Sequence, residues 1–488
     1  MMYDLSFYQA RPNETTRVFP IKSHEYRDDF QRDRDRILYS KEFRRLSGKT
    51  QIFVAGLDDN MRTRLTHTLE VAQIADTIAR RLNLNVTLTS AIAYGHDIGH
   101  TPFGHAGERT LNHIMNGCFY YYGYEKCLEK EDKGFKHNLQ GVRVASHLEE
   151  MDDEKEPGLN LTRYTLWGIQ NHTSSSYKKC AYCSSETCQY KNKQKPCTGM
   201  LSLEYYKKSL VYQGKPILED RRDWTFEAIV VAYADEIAQR HHDIEDGIYA
   251  GILDINHLHG YLLNDPYFKS EAQTVSMIKR NEQASASRNI RKLSRMIVNF
   301  YVSQYSRTLA ETVEALAETL NIDKVNLESS KWKESFFDHI EKNHKSLNEY
   351  FGYNDDFAKA DKKFGKYLKN HVVFSELAQS MDGKADYIIK QLVKAYLTNP
   401  QQLPDKTIIS VVSDWYTLRH VKAQDEKTYM TRASAARDTL QELLNTDDPL
   451  IKKLLLRRIC DFIAGMTDQY AINCYEELYG RKNKWETL

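Results

Sequence analysis

Between Ala93 and Glu108 the chain reads AYGHDIGHTPFGHAGE, which sets His96, Asp97, His100, His105 and Glu108 within sixteen positions. Imidazoles and carboxylates are the side chains that hold divalent ions and move protons near neutral pH. Protein interiors otherwise avoid them, so a cluster this dense asks for a shared ligand or a shared charge. His96 and Asp97 follow the helical stretch VTLTSAIAYG, which Gly99 and Pro102 bring to an end. Adjacent side chains diverge around a helix. These two can therefore meet one ion only near the helix end, with other helices completing the shell.

Two residues elsewhere are candidates to complete it. His67 lies in RTRLTHTLEV, and Asp235 lies in VVAYADEIAQ, where the apolar run makes a lone carboxylate costly. Taken singly, a histidine such as His67 is more often structural, and Asp235 reads equally as the buried partner of an arginine. In the order His, His-Asp, Asp on separate helices, the ligand reading gains. Two imidazoles and two carboxylates without a thiolate suit Mn, Mg, Fe, Co or Ni better than a structural zinc. His105 and Glu108, three apart, share a helix face. A carboxylate that holds an imidazole prepares a general acid or base, with a capping or surface pair as the plainer reading. His100 and His137 (in GFKHNLQG), with Arg64 one turn before His67, are candidate phosphate donors.

Helices must carry these groups. THTLEVAQIADTIARRLNL, TFEAIVVAYADEIAQRHHDIED and KADYIIKQLVKAYLTN repeat apolar residues at three- and four-residue spacing. Strand-like alternation is scarce, so the expected fold is all-α with room for one small hairpin. Residues 1–55 form a charged, Arg-rich N-terminal segment and residues 56–320 hold the dense motifs. Residues 321–488 form a further helical region. Within residues 173–200 a polar, Cys-rich insertion is expected. Its Cys180, Cys183, Cys188 and Cys197 include one CxxC pair, making a structural zinc a candidate, with free thiols as the alternative.

The 488 residues carry a formal net charge of +1, which argues against a generally basic nucleic-acid binder. No run approaches the roughly 20 apolar residues that span a bilayer, and MMYDLSFYQARPNE lacks a signal-peptide pattern. A reducing cytoplasm is the expected compartment, with its thiols unpaired or metal-bound.

The order His67, His96-Asp97, Asp235 resembles the HD-domain metal-dependent phosphohydrolases. More specifically, SKEFRRLSGKTQIF, RTRLTHTLEVAQIA, GHDIGHTPFGHAGE and YADEIAQRHHDIEDG are similar to the deoxyguanosinetriphosphate triphosphohydrolase (dGTPase) branch. DGKADYIIKQLVKAYLTNPQQLP and RRICDFIAGMTDQYA are similar to its C-terminal region. The resemblance implies an HD phosphohydrolase domain over residues 56–320 and one divalent ion on His67, His96, Asp97 and Asp235. It implies a catalytic His105–Glu108 pair and hydrolysis of a deoxynucleoside triphosphate to deoxynucleoside and triphosphate. It places Arg45, Lys49 and Gln51 against the nucleotide, with Gln51 and Asp243 on the sugar 3′-hydroxyl. It also implies a homo-oligomer, typically a hexamer, with allosteric nucleotides.

Two positions depart from that family's pattern. Gln239 stands where relatives carry a tyrosine, and Asn171, His172 and Thr173 stand where many read Lys-Tyr-Pro. Both bear on sugar and base selectivity. The competing readings are another HD-domain nucleotidase or phosphodiesterase, and a regulatory protein that senses nucleotides or single-stranded DNA. The runs RDDFQRDRDR and EFRRLSGK keep the second in view.

Overall fold

The computed structural model describes residues 3–51, 62–150, 157–174, 201–212, 215–275, 283–322, 324, 331–420 and 433–480. The fold is all-α, as expected. Among the described residues the only sheet is an antiparallel hairpin pairing Val211–Tyr212 with Lys215–Pro216. No helix among them is long and apolar enough to cross a membrane. Cys180, Cys183, Cys188 and Cys197 lie outside the described residues.

Eight helices position the chemistry. They are α1 (Arg64–Arg81), α2 (Val86–Gly95), α3 (Gly104–Met115), α4 (His137–Arg143), α5 (Arg163–Asn171), α6 (Phe226–Tyr249), α7 (Pro449–Ala464) and α8 (Asp468–Tyr479). Thr63 caps α1 by accepting from Thr66 N, and Asn85 caps α2 by accepting from Leu88 N. Helix α1 buries Val71, Ala72, Ile74, Ala75, Ile78 and Ala79, its apolar stripe, against α2 and α6. Each large side chain buried in this way contributes about 1.5–3 kcal/mol. His67 lies on the same stripe one turn before Val71, so the packing that holds α1 also aims His67 inward.

That first core draws on residues from Leu5 to Ala378, on both sides of residue 320. A second core joins α3 to the C-terminal helices, with Leu111, Ile114 and Met115 packed among Ile389, Leu392, Leu455 and Ile459. The stretch from His96 to Gly104 runs between the two cores, and its backbone is unusual in two places. Gly99 lies so close to α4 that an added Cβ would sit 2.1 Å from Gly141 N and 2.2 Å from His137 O. Phe103 and Gly104 both adopt left-handed φ, 61° and 57°, to turn the chain into α3. A bulky residue there is strained. The strain is held by Asp468 at the start of α8, whose carboxylate accepts from Phe103 N at 2.8 Å and from Thr50 N at 2.9 Å.

Gly99→Ala should therefore force the His96–His100 turn away from α4. The expected loss is about 2–3 kcal/mol of unfolding free energy, measured by denaturant titration, and the Cβ cannot be absorbed because it meets backbone rather than a mobile side chain.

Candidate functional site

His67 from α1, His96 and Asp97 from the end of α2, and Asp235 from mid-α6 converge. His67 Nε2 lies 3.0 Å from Asp235 Oδ1 and 3.4 Å from His96 Nε2. His96 Nε2 lies 3.5 Å from Asp97 Oδ2 and 3.9 Å from Asp235 Oδ1, and His67 Nε2 lies 3.7 Å from Asp97 Oδ2. Donor atoms held about 2.0–2.2 Å from one ion are separated by distances of this order. Asp235 is the one partly open member, with 24% of its side chain exposed.

The tautomers suit that role. His96 Nδ1 donates to Ala93 O at 2.6 Å, which leaves its Nε2 lone pair facing the other donors. His67 is set through a chain. Glu70 accepts from His242 Nε2, and His242 Nδ1 accepts from His67 Nδ1 at 3.2 Å, again leaving Nε2 bare. Burial would raise the carboxyls of Asp97 and Asp235, yet His96 and Arg64 around the first, and His67 and His96 around the second, hold both well below the usual carboxylate range. Both are thus ionised at neutral pH. The donor set, its spacing and its charge fit one divalent cation.

Beside it lies a second imidazole group. His100 Nε2 is 3.4 Å from Asp97 Oδ1, and its ring stacks on His137 with centroids 3.9 Å apart. His105 completes that group at 5.2 Å from His100 and 5.8 Å from His137. Surrounding protein desolvates His105 even though it opens to solvent, and with Arg64 nearby this lowers it to about 4. The hydrogen bond of Glu108 goes to His137 Nδ1 and to His137 N, the latter at 3.0 Å, so its link to His105 is electrostatic. His137 Nε2 in turn faces His172 Nε2 at 3.2 Å.

The remaining expected residues divide. Arg64 Nη1 holds Asp97 Oδ2 at 2.6 Å, while its Nε and Nη2 have no hydrogen-bond partner among the described residues. His100 Nδ1, Gln51 Oε1 and Asp243 Oδ1 are likewise buried without one. Burial raises Asp243 to about 7. Lys49 is wholly buried, and its Nζ donates to His100 O at 2.5 Å and Ala464 O at 3.0 Å, so it braces the His-Asp turn against α7. Burial lowers it to about 8. Arg45 instead pairs with Glu42 and lines a smaller cavity of about 190 Å³. A cavity of about 920 Å³ opens on the other side, with Asn171, His172 and Glu236, the neighbour of Asp235, in its wall.

Sequence reasoning passed over Glu70, His242 and His172 as working residues. Glu70 lies three positions after His67, a helical neighbour, which was the available signal. His242 directly precedes Asp243, and His172 was visible only as a departure from a family pattern.

Fold and site together define an HD-domain phosphohydrolase. The sequence matches the HD domain family over residues 64–240 and the phosphohydrolase-associated domain over residues 427–477. It is 30% identical over 471 residues to a deoxyguanosinetriphosphate triphosphohydrolase-like protein of Leptospira interrogans, covering 96% of this chain and 94% of that one. Proteins of the same name from Bordetella pertussis (30% over 483 residues; 98% and 97% covered) and Geobacter sulfurreducens (31% over 482; 98% and 95%) are equally similar. The chain belongs to the deoxyguanosinetriphosphate triphosphohydrolase-like family.

Two measurements probe this site. Glu70→Ala, which removes the acceptor of His242 Nε2, should weaken divalent-metal affinity about 10–100-fold by releasing the His242–His67 chain, as titration calorimetry would read. Asp243 keeps its proton in the folded state up to about pH 7, while the unfolded chain gives it up near 4. Stability thus drains away as pH rises through that window. Asp243→Asn, which cannot ionise, should show a flatter dependence of denaturation midpoint on pH between 4 and 7.

Proposed function

We propose that this phosphohydrolase is a metal-dependent deoxynucleoside triphosphate triphosphohydrolase, releasing deoxynucleoside and intact triphosphate. The observation that carries this is the convergence of His67, His96, Asp97 and Asp235, with the unpartnered cationic donors of Arg64 directly beside them. The names of the relatives supply the substrate class. A divalent ion on the four residues would polarise a phosphoryl oxygen and lower the pKa of a bound water.

The chain's own residues do the rest. Arg64 keeps Asp97 in place with one nitrogen and offers two more toward phosphate oxygens. His100 Nδ1, buried without a partner among the described residues, is a further donor or acceptor for phosphate. His105, neutral at pH 7, takes the proton of the attacking water, and the buried charge of Glu108 stabilises the imidazolium that forms. Gln51 and Asp243, each with a buried oxygen that has no partner among the described residues, would meet the sugar 3′-hydroxyl. A sugar lacking it would leave them unpaired and be rejected. A homo-oligomer and an allosteric nucleotide are readings carried by the resemblance alone, and a cytoplasmic location by the sequence pattern alone.

Incubation with each deoxynucleoside triphosphate and Mn or Mg, followed by ion-exchange chromatography, tests the reaction. Deoxynucleoside with inorganic triphosphate is expected; a monophosphate with pyrophosphate, or a diphosphate with phosphate, would overturn it. His105→Ala should lower kcat by about 10²–10⁴-fold, and His96→Ala with Asp97→Ala should abolish turnover.

A further inference from the structure

One carboxylate of the C-terminal region reaches two stretches of chain that the reaction needs side by side. Asp468 opens helix α8 directly after its cap, Thr467, and is 2% exposed. Its Oδ2 accepts from Thr50 N at 2.9 Å and also from the Thr50 hydroxyl, while its Oδ1 accepts from Phe103 N at 2.8 Å. Gln51 follows Thr50, and Gly104 and His105 follow Phe103. Asp468 therefore grips the main chain just before the residue assigned to the sugar and just before the residue assigned to proton transfer.

The two stretches meet at that point. A Cβ built on Gly104 would lie 3.1 Å from Arg64 Nη2 and 3.5 Å from both Thr50 O and Gln51 O. On the other side Thr50 pairs with Thr63, the cap of α1, and Lys49 O accepts from Arg64 N at 2.9 Å. Groups for sugar, phosphate and proton thus gather around one main-chain junction, and the Asp468 carboxylate ties its two strands together. An amide in its place could accept on one side only, with its NH₂ turned toward a second donor. The ion position does not hang on this carboxylate, since Ala93 O sets His96 and the Glu70–His242 chain sets His67.

We propose that Asp468 is a positioning residue that fixes Gln51 relative to His105, so that reading the sugar 3′-hydroxyl and moving the proton share one geometry. The assignment rests on the triphosphohydrolase reading above for the roles of those two residues. A contact remote from the breaking bond raises turnover only where its binding energy is spent on aligning the reacting groups. A 3′-hydroxyl held by a Gln51 that is tied to His105 does this. Selectivity for the hydroxyl then appears in kcat, and the C-terminal region takes part in sugar selectivity through main-chain hydrogen bonds.

The test compares full-length wild type, Asp468→Asn and Thr50→Val, each loaded with Mn²⁺. The substrates are the deoxynucleoside triphosphate turned over fastest and its 2′,3′-dideoxy analogue. Wild type should prefer the 3′-hydroxyl by about 10⁴-fold in kcat/KM. Asp468→Asn should cut that preference to about 10²-fold, with the loss in kcat for the deoxy substrate, while Mn²⁺ affinity by calorimetry stays near wild type. Thr50→Val removes only the hydroxyl bond. It should shift the preference the same way, and it carries the test if Asp468→Asn melts early by circular dichroism. A wild type without the preference, an equal loss of kcat/KM on both nucleotides, or an unchanged preference in both variants would overturn the proposal. Wild type that hydrolyses neither nucleotide removes the substrate reading instead. Amide hydrogen exchange then judges Asp468 alone: faster exchange at Thr50 or Phe103 in Asp468→Asn sustains it as the anchor, and unchanged exchange at both overturns it.

Discussion

The site depends on one electrostatic constraint. Asp97 and Asp235 are ionised carboxylates brought together with the imidazoles of His67, His96 and His100, largely away from water. Such a group is costly unless positive charge is supplied within it. Arg64 supplies part on one edge. A cation among the inward-facing Nε2 atoms would supply the rest. The tautomers of His67 and His96 are fixed from behind, by the Glu70–His242 chain and by Ala93 O, so the bare nitrogens are held in position before any ion arrives.

Holding that arrangement is a task for elements far apart in the chain. The first core aims His67 and Asp235 inward from α1 and α6. The His96–Gly104 stretch is pinned from the opposite side by the C-terminal region, through Asp468 on the backbone of Thr50 and Phe103 and Ala464 O on Lys49. Arg143 of α4 is tied to the same region by Asp461 at 2.7 Å. This gives the phosphohydrolase-associated segment a physical role, since it braces the turn that carries the His-Asp pair. Gly99 permits a backbone approach that a Cβ would block, and through it α4 delivers His137 beside Asp97.

Much of this was legible beforehand. The helical fold follows from apolar spacing, and the four converging residues were visible as imidazoles and carboxylates in otherwise apolar helices. Lys49 and Glu108 were less legible. Lys49 looked like a substrate contact, but its ammonium is spent on carbonyls, because a buried donor takes whatever acceptors the packing supplies. Glu108 is three residues from His105 on one helix, yet its hydrogen bond goes to His137, twenty-nine residues away, where Gly99 lets α4 come close.

Composition and periodicity alone therefore determined the all-α class and which side chains are costly to bury without a partner, since both are local properties of residue type and spacing. Tertiary structure alone decided the partners. Glu70 behind His242, His172 against His137 and Asp468 beneath Phe103 are contacts between residues 35 to 365 positions apart, or on different faces of neighbouring helices. Hydrogen bonds of that kind act over about 3 Å and are directional, so no sequence spacing encodes them.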